Sequence, residues 1–66
     1  MTIRETAFLI WGYYKPRLNF YERNLLKKLL DGIRGIGEVD DNEISNYLSD
    51  KQIAWIKKLG LKFRLK

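Results

Sequence analysis

Residues 2–14 read TIRETAFLIWGYY, and whether they form one helix or end in a strand decides the fold. Thr2 and Glu5 have capping-box spacing, in which a small polar residue and a Glu or Gln three positions later satisfy each other's backbone N–H groups. Ile3, Ala7, Ile10, Trp11 and Tyr14 then fall on one helical face. Phe8, Leu9 and Tyr13 lie off that face, so the segment is apolar nearly all round. Either it is a central helix covered on several sides, or Phe8–Tyr14 is a strand. Gly12 weakens the helical option. Pro16 is expected to end the helix, because the residue before a proline is pushed out of the helical region.

The same capping pattern recurs along the chain. Four of the five Glu and Gln residues have a suitable partner: Thr2–Glu5, Asn19–Glu22, Asp40–Glu43 and Ser49–Gln52. They predict four helix starts. The second helix, Phe20 to Arg34, carries an apolar stripe of Leu25, Leu26, Leu29, Leu30 and Ile33. Lys27 and Asp31 are four apart on it and are expected to pair. A short third helix, Asp41–Leu48, offers Ile44, Tyr47 and Leu48. The fourth, Asp50–Leu59, presents Ile53, Ile56 and Leu59. Gly60 is placed as its left-handed stop. Leu61–Lys66 then alternates apolar and basic residues, which is strand periodicity.

The expected fold is all-α, one compact bundle of three to four short helices over residues 1–66. The alternative is α+β, with Phe8–Tyr14 and Leu61–Leu65 paired as a two-stranded sheet. A chain of 66 residues buries only about 60% of its unfolded surface, so its core is marginal. An apolar content of 45% nonetheless argues against disorder.

With no Cys and no His, disulfides, haem ligation and the common zinc sites are excluded. No cofactor or metal is expected, and no catalytic residue is assigned. Ser45 and Ser49 lack an activating partner. Asp40, Asp41 and Glu43 suit the positive end of a helix better than acid catalysis. No signal peptide or membrane-spanning run is visible, and a cytoplasmic location is expected.

Thirteen Lys+Arg against eight Asp+Glu give a net charge of +5. A pI near 9.7 is the first footprint of nucleic-acid binding. The charge is segregated. Residues 1–30 carry six basic and two acidic side chains, residues 31–50 one and six, and residues 51–66 six and none. Two basic segments therefore flank an acidic centre, which raises the local positive field.

Ile33–Arg34–Gly35–Ile36–Gly37, followed seven residues later by Ile44, resembles the helix-hairpin-helix DNA-binding motif, over about 20 of the 66 residues. The resemblance implies that Gly35, Ile36 and Gly37 form a phosphate-contacting loop. Glu38, Asp40 and Asp41 stand where that family has small or basic residues, and carboxylates at a few ångströms repel a phosphate. The segment also reads as an ordinary connection between two helices. Ser49–Leu59 looks like helices of small uncharacterised phage proteins, which suggests a phage-encoded chain.

On a helical projection Lys51 and Lys58 share a direction, and Lys62 joins them if the helix extends. Trp55 borders this stripe. Lysines hold phosphates while an aromatic ring stacks a base. Tyr13, Tyr14, Lys15 and Arg17 make a second basic-aromatic cluster in the first loop.

The expected function is a small DNA-associated accessory protein that contacts the backbone with little sequence dependence. Lys51, Lys57, Lys58, Lys62, Arg64 and Lys66 carry the charge, and Trp55 stacks. Single-stranded and duplex DNA are not distinguished by the sequence. The alternative is a protein-binding inhibitor or adaptor of a larger, nucleic-acid-processing enzyme, with Glu38–Asp41 imitating phosphate charge. A homodimer through the apolar first helix is a further reading.

Overall fold

Among the described residues, four N-caps start four α-helices. Thr2, Asn19, Asp40 and Ser49 all stand in extended backbone, and each side chain accepts a hydrogen bond from the N–H three residues on. Thr2–Glu5, Asn19–Glu22 and Ser49–Gln52 close the full reciprocal box. Hydrogen bonds from the Thr2 backbone and hydroxyl hold the exposed Glu5 carboxyl below its ordinary pKa. Each such cap contributes about 1 kcal/mol.

The computed structural model describes residues 2–37 and 40–65. Helix α1 (Ile3–Leu9) runs directly into a π-helical segment (Ile10–Tyr14) and a 3-10 turn (Lys15–Arg17). Then come α2 (Phe20–Ile33), a second 3-10 turn (Arg34–Ile36), α3 (Asp41–Ile44) and α4 (Asp50–Lys62). The fold is all-α, and no strand forms among the described residues. The Phe8–Tyr14/Leu61–Leu65 strand pair is thereby overturned. Phe8–Tyr14 stays helical because α1 is the hub of the bundle, packing on α2, α3 and α4. Its core-facing side is covered by these three neighbours rather than by a sheet partner.

The core has one centre. Ile3, Ala7 and Ile10 enter it from the first helical run, and Leu26, Leu29, Leu30 and Ile33 from α2. Ile44, Leu48, Ile56 and Leu59 close the other side, and Leu18 plugs the first loop. Leu25 and Ile53 are half-buried at its edge. Tyr47, placed by periodicity in the core, is 48% exposed. The cause is that α3 stops at Ile44. The Ser45 hydroxyl donates to the Asn42 carbonyl at 3.0 Å, and the next amides bond three residues back, tightening the chain into a turn.

Three further expectations are corrected. Lys15 remains helical before Pro16 (φ −50°, ψ −44°), since the chain tightens to a 3-10 turn closed by the Leu18 N–H on the Lys15 carbonyl at 3.1 Å. Asp31 pairs with Arg34 at 3.8 Å rather than with Lys27. Gly60 does not stop α4. It is buried inside the helix, where an added Cβ would sit 3.0 Å from the Thr6 Cγ2 of α1. It is the point of close approach between two helices.

The actual stop lies four residues later. Arg64 takes a left-handed conformation (φ 59°), the Leu65 N–H reaches the Gly60 carbonyl at 2.7 Å, and the Arg64 N–H reaches that of Leu61 at 3.0 Å. This is a Schellman ending with a residue that carries a Cβ where glycine is favoured. Left-handed backbone costs an L-residue about 1–2 kcal/mol, offset in part by the extra chain entropy glycine loses on folding. Arg64→Gly is therefore expected to raise stability by about 0.5–1 kcal/mol, read as a higher urea midpoint at unchanged slope.

Candidate functional site

Because α4 continues through Gly60, Lys62 and Phe63 are carried round to the first loop. The Phe63 ring stacks on Tyr14 with centroids 4.8 Å apart and planes 19° from parallel. The Arg17 guanidinium lies 5.8 Å from the Phe63 ring centre, and the Lys62 ammonium 5.6 Å. Lys62 also donates to Glu22 Oε2 at 3.3 Å. The other carboxylate oxygen of Glu22 accepts from the Asn19 N–H, so one side chain both caps α2 and ties it to α4. The two basic-aromatic clusters, about 45 residues apart in sequence, are thus one surface in space.

A shallow groove of about 360 Å³ continues this surface along α4, lined by Glu22, Trp55, Lys58, Leu59 and Lys62. Trp55, Lys58 and Lys62 therefore come together as the helical projection predicts. Trp55 is half-buried, packs against the core and also lines the groove. Lys51 is exposed one turn before Trp55 on the same stripe.

Lys57 and Arg64 do not line this groove. Lys57 lines a different groove, of about 280 Å³, with Ile3, Thr6, Asp41, Gly60 and Leu61. Arg64 is exposed in the left-handed turn. Lys66 lies outside the described residues. Gly35 and Gly37 are not in either groove's lining. Gly37 takes positive φ (70°) after the 3-10 turn.

The acidic centre is largely engaged in holding the fold. Asp40 Oδ1 accepts from the Glu43 N–H at 2.9 Å. Asp41 Oδ1 accepts from the Ile3 N–H at 2.7 Å, across 38 residues. That bond caps the start of α1, where a carboxylate also complements the helix dipole. Glu38 lies outside the described residues.

Phe63 and Glu22 are the site residues that sequence reasoning missed. The signal for Phe63 was present: it follows Ile56 and Leu59 at spacings of three and four, continuing the α4 stripe. Reading Gly60 as a terminator hid it. Glu22 was identified as a cap, but its second partner is set by tertiary packing.

Only two ion pairs form among the described residues, Lys62–Glu22 and Arg34–Asp31. Lys15 sits over the Trp11 ring at 4.3 Å. A cation held on an aromatic face keeps its charge and remains available to an anion. No described cluster of three or more Asp and Glu could hold a metal ion, and no helix among the described residues is long and apolar enough to cross a membrane. Comparison with family models, curated proteins and solved structures gives no match to this chain.

Proposed function

We propose that this protein binds nucleic acid, DNA in the first instance, through phosphate contacts with little base readout. The observation that carries this reading is the joined basic-aromatic surface: Lys58, Lys62 and Trp55 in the α4 groove, continuous with Phe63, Tyr14 and Arg17. Phosphate contacts by Lys and Arg supply affinity without sequence information. Weak sequence preference follows from contacts made mainly to phosphates. The accessory role expected of a chain this small, and the phage origin suggested by Ser49–Leu59, belong to the same proposal.

Two carboxylates of the acidic centre are occupied as caps, which favours this reading over a phosphate-imitating inhibitor. Reversing Asp41 would release the start of α1, so that substitution tests the fold rather than an interface.

Binding by two or more phosphate contacts is expected to weaken about tenfold or more between 50 and 200 mM salt. Fluorescence anisotropy of labelled DNA measures this. Lys58→Glu is expected to weaken binding far more than Lys57→Glu. Both change net charge equally, but only Lys58 faces the groove. Equal losses from the two reversals would mean that net charge alone drives association, and no binding at 50 mM salt would end the proposal.

A further inference from the structure

The first loop and the start of α2 leave three aromatic rings in water. Tyr13 is 75% exposed, Phe20 77% and Tyr21 69%. A single exposed apolar side chain needs no explanation. Here three of the nine aromatic residues are spent outside a core that a 66-residue chain can barely fill.

Their placement is specific. Phe20 and Tyr21 occupy the first turn of α2, beside Glu22, whose carboxylate holds Lys62. Tyr13 belongs to the π-helical segment, which packs against α2. π-helical turns are rare and are enriched at functional sites. Here the segment lays Tyr14 on Phe63 while its neighbour Tyr13 stays in solvent.

The surrounding charge is positive. Lys15, Arg17 and Arg23 alternate with these rings along residues 13–23, all three are exposed, and none forms an ion pair with a described residue. The nearby carboxylate, Glu22, is already paired with Lys62. Flat apolar faces interleaved with unpaired cations complement a strand whose bases and phosphates are both accessible. A duplex keeps its base faces stacked inside and would leave the rings unused. Single strands offer a face at every nucleotide.

We propose that Tyr13, Phe20 and Tyr21, with Lys15, Arg17 and Arg23, form a stacking surface for the unpaired bases of single-stranded DNA. The inference rests on the nucleic-acid reading above and assigns it a strand preference. Phe20 and Tyr21 stack bases, Tyr13 extends the aromatic surface from the π segment, and the three cations hold the intervening phosphates.

The test compares three labelled probes at 50 mM salt: a 20-nucleotide oligothymidine, a 20-base-pair duplex, and an abasic strand of the same length. The protein is used whole, unchanged and as Phe20→Ala/Tyr21→Ala. Both side chains are solvent-exposed, so the variant is expected to keep its fold, checked by its circular dichroism melt. Arg23→Gln, which leaves the rings in place, is a second variant.

The oligothymidine is expected to bind tightest. The double alanine variant is expected to lose about tenfold or more on that probe, with little change on the duplex and abasic strand. Arg23→Gln is expected to weaken all three probes. Equal affinity for the three probes, or oligothymidine binding unaffected by the alanines, overturns the stacking surface while leaving phosphate binding standing. Absence of binding to every probe overturns both, and the exposed rings then belong to a protein interface.

Discussion

Ile10→Ala is expected to lower the unfolding free energy by about 2–5 kcal/mol, the range for removing a buried branched side chain and leaving a cavity. Ile10 has no exposed surface and lies where α1 passes into the π segment, at the centre of the bundle. Alanine's better helix propensity returns ~0.5 kcal/mol at most. A domain of this length has about 3–10 kcal/mol in total. The variant is therefore expected to lose a large share of its stability, seen as a thermal midpoint lowered by about 10 °C or more. Leu61→Ala is the comparison. Leu61 is 76% exposed, and its truncation is expected to stay within about 0.5 kcal/mol. Similar losses from the two would contradict an α1-centred core.

Gly60→Val is expected to cost about 1–3 kcal/mol by overpacking the α1–α4 crossing. The added Cβ alone would meet Thr6 Cγ2 at 3.0 Å, and valine adds two methyl groups beyond it. Thr6 has little freedom to yield. It is buried, and its hydroxyl donates to the Thr2 carbonyl at 2.8 Å. Thr6→Ser deletes the obstructing methyl and keeps that hydrogen bond, so it should relieve part of the valine penalty. Gly60→Ala sets one tight contact against a gain of ~1 kcal/mol in helix propensity. It should be close to neutral alone and stabilising beside Thr6→Ser. A double-mutant cycle from urea titrations measures the coupling. Additive effects at Gly60 and Thr6 would mean that the helices do not cross there.

The capping boxes were legible because they are local. Donor and acceptor sit three residues apart, and the pattern needs no knowledge of the rest of the chain. The apolar stripe of α2 was legible for a similar reason, since periodicity alone puts Leu26, Leu29, Leu30 and Ile33 on one face. Trp55 and Lys58 followed from the same arithmetic. The end of α4 did not. Glycine serves equally as a terminator and as the gap through which another helix passes, and only Thr6, 54 positions away, distinguishes the two uses. Phe63 was lost to that ambiguity, and with it the link between the two basic-aromatic clusters. Lys57 faces a different groove from Lys58, which a list of lysines does not reveal.

From the sequence alone came the helix starts, the exclusion of thiol, disulfide and histidine chemistry, and the lysine stripe with its bordering tryptophan. Those properties depend on composition or on interactions a few residues long. Tertiary structure decided that residues 2–14 remain helical at the centre, that Asp41 caps a helix 38 residues away, and that Phe63 lies on Tyr14. Each of these requires two distant segments to be in place at once. No local pattern encodes that, because the energy appears only when the bundle closes.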